Sequence, residues 1–240
     1  MSIFIYLLCF VYLSCECSAL PSTNQLNNAV KDLDKINSTS INNDSSIITE
    51  KADNVQEKVL IQFYYECLCP FCMRFYTEVF VPMVGKLGEY LDVRTYPYGN
   101  AWTNKVNGSY VFDCQHGTAE CYGNKLHACA LDLLENKTQA LVFNSCLMNG
   151  YSDDSDADAC GKEQNVDAVA IKECAKGEKG TQLLKYYGDE SSDGHYSYVP
   201  YLRINGEHRA RFNFVFKVCK TFKVPPPPCV EVINSENDEE

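Results

Sequence analysis

The stretch Val59-Leu-Ile-Gln-Phe-Tyr-Tyr-Glu-Cys-Leu-Cys-Pro-Phe-Cys72 is a continuous apolar and aromatic run that ends in two cysteines separated by Pro-Phe. The run predicts a buried strand over residues 59–65. The spacing that follows predicts a helix over residues 71–87, with Pro82 as the candidate position for a bend. Cys69 and Cys72 are therefore expected where the strand leads into a helix N-terminus. Free backbone N–H groups and the helix dipole favour negative charge there, so we expect Cys69 to lose its proton more readily than an ordinary cysteine. This geometry is typical of a thiol–disulfide oxidoreductase.

Two other interpretations of the cysteine pair stay open on the sequence. A Cys-x-x-Cys pair can be half of a zinc site, and Cys67 adds a third sulfur beside it. Such a site needs a second ligand pair. His116 lies between Cys114 and Cys121, but no further Cys-x-x-Cys or His-x-x-x-His completes the set. A purely structural disulfide within the pair would close a very small, strained ring. The redox interpretation is therefore favoured, and we predict no metal ligand.

The composition is that of an acidic globular chain. Of its 240 residues 45% are hydrophobic, and the formal net charge is −11. These values fit one globular domain with polar tails. The negative charge and the lack of a Lys/Arg-rich block argue against a nucleic-acid partner.

The N-terminus predicts a signal peptide. Residues 3–13 are apolar but too few to span a membrane, and cleavage near Ala19 would remove residues 1–19. No Lys or Arg precedes Lys31, so the α-amino group alone supplies positive charge, and a short membrane anchor is the alternative interpretation. No second hydrophobic segment approaches the length of a span, so we expect no stable membrane span in the mature form.

Cysteine usage and glycosylation motifs favour the secretory pathway. The chain has 14 cysteines, which fits an oxidising compartment. Outside the predicted signal peptide and the Cys69/Cys72 pair nine remain, an odd number. Glycans are predicted at the four Asn-x-Ser/Thr motifs, at Asn37, Asn43, Asn107 and Asn136. We expect delivery to lysosomes or endosomes, or secretion.

Both ends of the chain are predicted to be disordered. Residues 20–57 are rich in Asn, Ser and Asp and cannot bury enough apolar surface to fold. The acidic tail over residues 231–240 is expected to behave in the same way, and Pro225-Pro-Pro-Pro228 is expected to be a stiff spacer after the last helix. The folded domain is therefore placed over residues 58–230.

Within this domain the patterns predict an α/β, thioredoxin-like fold with a disulfide-rich helical insertion over about residues 114–190. A second strand is predicted over residues 91–96, and a third over residues 198–204 is followed by the turn signal Asn205-Gly206 and a short partner strand over residues 207–211. Proline inside a strand needs an explanation, and in this fold a cis-proline beside the dithiol supplies one, so Val199–Pro200 is predicted to be cis. Helices are predicted over residues 119–134, 139–148, 166–175, 181–187 and 212–222.

The segment Cys114-Gln-His-Gly-Thr-Ala-Glu-Cys121, followed by Asn124 and Cys129, resembles the signature of the gamma-interferon-inducible lysosomal thiol reductase family. The order of the surrounding motifs over about residues 58–229 is also similar: Tyr64-Tyr-Glu66, Pro97-Tyr-Gly-Asn100, Glu173-Cys-Ala175, Tyr198-Val-Pro200 and Ile204-Asn-Gly206. The resemblance implies reduction of protein disulfides in acidic endosomes and lysosomes. Secreted members occur, and invertebrate members are linked to innate immunity.

The mechanism expected from the dithiol assigns a role to each cysteine. Cys69 attacks a substrate disulfide as a thiolate, Cys72 resolves the mixed disulfide, and Pro200 flanks the pair beside an extended substrate segment. The expected partners are disulfide-containing proteins and a small external thiol reductant, with no cofactor. His116 and His127 are candidate acid–base groups, but structural hydrogen bonding explains them equally well, and we do not assign them as catalytic. The alternative function is a secreted, disulfide-rich binding protein of the same fold without turnover.

The eight structural cysteine candidates allow many pairings. Cys121 and Cys129 on one helix would lie about 12 Å apart, beyond disulfide reach. Cys146 with Cys160, and Cys219 with Cys229, bracket polar or proline-rich loops and are our predicted pairs. Cys67 lies outside the family pattern, and we predict that it is unpaired; if the first strand extends that far, its side chain shares a face with Cys69. The full set of candidates is Cys114, Cys121, Cys129, Cys146, Cys160, Cys174, Cys219 and Cys229.

Overall fold

The computed structural model describes residues 57–237. The predicted signal peptide, the polar segment up to residue 56, the motifs at Asn37 and Asn43, and residues 238–240 lie outside the described residues. Within residues 57–237, no helix is long and apolar enough to cross a membrane.

A four-stranded mixed sheet in the order β2-β1-β5-β6 forms the centre of the domain. Strand β1 (Val59–Tyr65) pairs in parallel with β2 (Leu91–Pro97) and antiparallel with β5 (Tyr201–Ile204), and β6 (Glu207–His208) forms the edge. Side chains on both faces of β1 are buried or half-buried, which explains why its sequence is largely apolar and aromatic. Its position agrees with the prediction from the opening stretch.

The helical segment between β1 and β2 is continuous but irregular. It consists of α1 (Pro70–Phe75), a π-helical turn (Tyr76–Phe80) and α2 (Val81–Leu87), and a 3₁₀ turn (Gly88–Tyr90) follows. Pro82 has no N–H to donate and its ring would crowd the carbonyl four residues earlier. The widened turn accordingly ends just before Pro82, close to the position predicted for a bend.

A two-stranded hairpin was missed by the sequence reasoning. Strands β3 (Trp102–Val106) and β4 (Ser109–Asp113) pair antiparallel around Asn107-Gly108, and both turn residues have positive φ. Asn-Gly is a strong hairpin signal, but here it coincides with a glycosylation motif. Most of the side chains of both strands are exposed, so no apolar alternation marks them.

Five helices separate the hairpin from β5, one more than predicted. They are α3 (Thr118–Leu133), α4 (Lys137–Leu147), α5 (Asp154–Gln164), α6 (Ala168–Lys176) and α7 (Glu178–Ser192). They share a core of their own, which includes Leu126, Phe143 and Ile171. Helix α5 escaped prediction because it is polar and buries small side chains, although Asp153 and Asp156 form a capping box at its start.

The C-terminal part differs from prediction in its boundaries. The Val199–Pro200 bond is cis, as predicted, but β5 begins after it, at Tyr201. Helix α8 (Phe214–Cys219) is shorter than the predicted 212–222.

A final helix, α9 (Pro227–Asn237), occupies the region where a spacer and a disordered tail were expected, so that expectation is wrong up to residue 237. Proline is tolerated in a first helical turn because its missing N–H has no partner there. Cys229 on this helix is buried and bonded to Cys219.

Candidate active site at the dithiol

The two cysteines of the motif occupy different environments at the start of α1. Cys69 is the N-cap residue and is 7% exposed, whereas Cys72, one turn into the helix, is fully buried. The Cys69 sulfur accepts hydrogen bonds from the Cys72 thiol and from the backbone N–H groups of Phe71 and Cys72. Solvent and substrate can therefore reach the first sulfur more readily than the second.

The same contacts separate the pKa values of the two thiols. The hydrogen bond from the Cys72 thiol lowers the pKa of Cys69 to about 6, against the opposing effect of burial, and the N–H groups and the charge of His116 add to the lowering. Burial raises the pKa of Cys72 well above its usual range, and its hydrogen bond to Cys69 raises it further. The outer sulfur is thus poised as a thiolate and the inner one as a thiol.

Cys67 is a third unpaired thiol in residues 57–237 and faces away from solvent. Its N–H donates to Asn124 Oδ1 at 3.0 Å, and its Sγ donates to the carbonyl oxygen of Glu120 at 3.5 Å. The close approach of α3 requires glycine at position 123, since a Cβ there would lie 2.5 Å from the Cys67 Sγ. Burial raises the pKa of this thiol well above its usual range.

A cluster of Glu66, His116 and Glu120 lies beside Cys69. Glu66 follows β1 directly, while His116 and Glu120 lie in the loop before α3 and in its first turn. The His116 Nδ1 is 2.6 Å from Glu120 Oε2 and 3.3 Å from Glu66 Oε2. Both carboxylates are buried and the imidazole is about one-third exposed. Sequence reasoning assigned no function to these three residues.

The loop after β2 fixes the Glu66 side chain. The N–H of Asn100 donates to Glu66 Oε1 at 2.6 Å. Gly99 has φ of +63°, and a Cβ at this position would lie 2.0 Å from the Glu66 Cγ. Both the backbone conformation and the close approach of Glu66 therefore require glycine.

Burial and neighbouring charges shift both ionisable partners. Burial raises the pKa of Glu66 to about 7, and the charges of Glu120 and Cys69 act in the same direction, while the Asn100 N–H and His116 act against them. Desolvation lowers the pKa of His116, but its hydrogen bond to Glu120 and the charges of Glu120, Glu66 and Cys69 outweigh it, so the net shift is upward.

The three ligand atoms of this cluster lie within 4.8 Å of one another, a spacing that a metal ion could use. The His116 Nδ1 is engaged with Glu120 Oε2 at hydrogen-bond distance, and a nitrogen that donates its proton has no lone pair for a metal. We therefore interpret the group as a hydrogen-bonded cluster.

His127 has a different, structural environment. It is fully buried in α3, where its Nδ1 lies 2.9 Å from the Tyr65 hydroxyl and its Nε2 lies 3.2 Å from Ser152 Oγ. Burial lowers the pKa of His127 to about 3, so the ring is neutral and bridges two core groups. The two histidines that the sequence could not distinguish therefore have different surroundings.

The cis-proline predicted from the sequence lies close to the dithiol. Pro200 is buried. Its neighbour Tyr201 pairs with Tyr64, so Pro200 lies beside the end of β1 that leads to the dithiol. The exposed rings of Phe71 and Phe212 each have the Arg211 guanidinium 5.1 Å from their centroid.

All eight structural cysteine candidates are paired, as Cys114–Cys121, Cys129–Cys174, Cys146–Cys160 and Cys219–Cys229.

The two described glycosylation motifs are exposed. Asn107 lies in the turn of the β3–β4 hairpin. Asn136 is the N-cap of α4, where its Oδ1 accepts from the N–H of Gln139 at 3.1 Å, which leaves the amide nitrogen for a glycan.

A sheet of this order, with a dithiol at the N-terminus of the helix after β1, defines a thioredoxin-like thiol–disulfide oxidoreductase. The sequence model described as "Gamma interferon inducible lysosomal thiol reductase (GILT)" matches residues 60–177. A protein of that name from Carassius auratus is 31% identical over 179 residues, which is 70% of each chain. The chain belongs to this family, as the signature motif predicted.

One further comparison concerns the family and another concerns the fold. A gamma-interferon-inducible lysosomal thiol reductase-like protein from Anopheles gambiae is 34% identical over 147 residues, covering 56% of this chain and 61% of that relative. The reduced structure of DsbA from Mycobacterium tuberculosis superposes with a TM-score of 0.54 at 17% identity, over 80% of this chain and 95% of that one. The predicted thioredoxin-like fold is confirmed.

Proposed function

We propose that the protein reduces disulfide bonds in protein substrates through Cys69 and Cys72, with Pro200 flanking the substrate segment. The observation that carries this assignment is the contrast between Cys69, which is 7% exposed and has a lowered pKa, and Cys72, which is fully buried one turn further on and has a raised pKa. A reductase needs this order, because the first thiol must attack and the second must wait until the mixed disulfide has formed.

The reaction balances without a bound cofactor. The Cys69 thiolate attacks one substrate sulfur, forms a mixed disulfide and breaks the substrate bond, and the departing substrate sulfur takes up a proton. Cys72 then loses its proton and attacks the Cys69 sulfur, which forms the Cys69–Cys72 disulfide and releases the second substrate thiol. Two electrons pass to the substrate, and an external small thiol restores the dithiol.

An acidic compartment is compatible with this chemistry. A thiol with an ordinary pKa near 8.5 is about 0.03% ionised at about pH 5, whereas one with a pKa of about 6 is roughly 10% ionised. This gain, the predicted signal peptide and the exposed glycosylation motifs support action in the endosomal–lysosomal pathway or outside the cell. The family resemblance adds innate immunity as the setting.

Insulin reduction at about pH 4.5 and about pH 7 tests the proposal. The wild-type protein with a small thiol is expected to reduce insulin, and Cys69→Ser is expected to abolish turnover because the attacking thiolate is gone. Cys72→Ser is expected to accumulate a mixed disulfide between Cys69 and the substrate, visible as a mass adduct. Full activity of Cys69→Ser would contradict the assignment. No reduction at either pH would favour the alternative of a binding protein without turnover.

A further inference from the structure

The positive charge beside Cys69 comes from a distant part of the chain. The two residues inside the dithiol motif, Pro70 and Phe71, carry no charge. His116 lies close enough for its charge to stabilise the Cys69 thiolate, and the thiolate in turn favours the protonated form of His116. The two residues are 47 positions apart and are brought together by the packing of α3 against the end of β1.

Several contacts hold the imidazole in place. The Cys114–Cys121 disulfide closes the short loop that contains His116. Glu120 binds His116 twice: its Oε1 accepts the backbone N–H at 3.0 Å, and its Oε2 contacts the ring Nδ1 at 2.6 Å. Because Glu120 is fully buried, water does not compete for these bonds. A histidine held in this way has little freedom to turn away from the dithiol.

We propose that His116 is a positioning residue for disulfide reduction: its imidazolium, held by Glu120 at 2.6 Å and lying 3.3 Å from the buried Glu66 carboxylate, places a positive charge near the Cys69 thiolate, and the Glu66 carboxylate opposes this effect. The inference rests on the proposed reductase function, because it states how the nucleophile of that reaction is kept ionised.

The cluster responds to pH through every ionisable group that surrounds it. Cys69 faces Cys72, Glu66 and His116, while His116 faces Glu66, Glu120 and Cys69. The other titratable neighbours of Glu66 are Cys67, Cys72 and Tyr196. As pH falls below about 7, Glu66 takes up a proton while His116 keeps its own. The opposing charge disappears and the supporting charge remains, so the surrounding charges stabilise the Cys69 thiolate most strongly in acid.

Alkylation kinetics of the reduced full chain test this inference. The rate at which iodoacetamide modifies Cys69 is measured from about pH 4 to about pH 9, with the site identified by mass spectrometry. Removing the imidazolium in His116→Gln is expected to move the midpoint of the profile upward and to slow alkylation at about pH 5 by roughly three- to tenfold. Glu66→Gln keeps an acceptor for the Asn100 N–H but removes the opposing charge, so its midpoint is expected to move downward.

The opposite signs of the two shifts separate charge from structural damage, because loss of folding would not move the midpoints in opposite directions. His208→Gln, on the exposed edge strand β6, is the matched control and is expected to leave the profile unchanged. An unchanged or lowered midpoint in His116→Gln, or a raised midpoint in Glu66→Gln, would overturn the inference.

A second variant keeps the test decisive if His116→Gln fails to fold. Glu120→Gln removes the carboxylate that keeps His116 protonated, so its profile should match that of wild type at about pH 5 and fall below it near pH 7. A Glu120→Gln profile that matches wild type at both values would contradict the inference. Alkylation requires no substrate turnover. A protein that shows these shifts but does not reduce insulin would therefore refute the proposed function, while the effect of His116 on the ionisation of Cys69 would still be established.

Discussion

Burial and local hydrogen bonds give the unpaired thiols of residues 57–237 three different sets of properties. Cys69 is slightly exposed to solvent and accepts several hydrogen bonds. Cys72 is buried behind it, and Cys67 is buried against α3. Because β1 ends at Tyr65, the strand does not continue to Cys67, and the shared face with Cys69 that an extended strand would give is not formed. The reactivity of each thiol therefore depends on its burial and its hydrogen-bond partners, and not on how close it lies in sequence to the Cys69–Cys72 pair.

Cys67 is expected to be an inert, unpaired thiol. In the folded, oxidised protein it should resist alkylation, because it is fully buried and its pKa is raised, and it should be labelled once after denaturation. Cys67→Ala removes one buried sulfur, so we expect a loss of about 1 kcal/mol in the free energy of unfolding and an unchanged alkylation profile of Cys69. Urea unfolding and peptide mass mapping measure both effects. A stable bond between Cys67 and any of the eight structural cysteines would disprove this prediction.

Among the secondary-structure elements, those that bury apolar side chains were easier to predict than those stabilised by caps or disulfides. Strand β1 and helix α3 show apolar runs or helical spacing in the sequence. Helix α5 buries few side chains and depends on its capping box and on the Cys146–Cys160 bond, and α9 is tied to α8 by Cys219–Cys229. A cross-link restricts the unfolded chain, so such helices form without a strong apolar stripe.

Two separable roles are predicted for Asn136 at the start of α4. In cells that glycosylate secreted proteins, we expect a glycan on Asn107 or Asn136 or on both, measured as a mass shift after glycosidase treatment. Asn136→Asp should abolish the glycan at that position and keep a capping oxygen for the Gln139 N–H. Asn136→Ala should abolish both and lower the free energy of unfolding of the unglycosylated protein by about 1 kcal/mol relative to the Asp variant. Equal stability of the two variants would show that the cap contributes nothing.

At the scale of the whole domain, two buried groups make stability depend on pH in opposite directions. His127 has a pKa of about 3 in the folded state, below that of an unfolded histidine, so its contribution is complete above about pH 6.5 and is lost as pH falls. The pKa of Glu66 is raised to about 7, so its contribution is complete below about pH 4.5 and is lost as pH rises through 7. Between about pH 4.5 and about pH 6.5 the two effects act in opposite directions and partly cancel.

The variant Glu66→Gln tests the contribution of Glu66 to this pH dependence of stability. Glutamine does not ionise, so the variant lacks the loss of stability that wild type undergoes at high pH. The free energy of unfolding of the variant should therefore increase relative to that of wild type by roughly 1 to 3 kcal/mol as pH rises from about 4 to about 8. Urea unfolding at both pH values measures the difference. His208→Gln, which replaces a histidine on the exposed edge strand β6, is the control variant. A difference between Glu66→Gln and wild type that shrinks toward higher pH would contradict the raised pKa.

Local sequence was sufficient for the parts of this protein that depend on neighbours along the chain. The apolar run over 59–65, the dithiol at the following helix start, the proline before β5 and two of the four disulfide pairs could be stated from spacing and composition, because strand burial, helix termini and short loops are set by adjacent residues. The family signature could also be read directly.

The tertiary structure alone decided which residues surround the dithiol. Glu66 and His116 meet because α3 docks on the end of β1 through Gly123, and nothing local to either residue specifies that contact. The burial that sets the pKa values of Glu66, Cys72 and His127 likewise depends on elements distant in sequence. Sequence periodicity shows which side of an element is buried, but the partner that buries it, and hence the charge that a group holds, is fixed when the elements pack together.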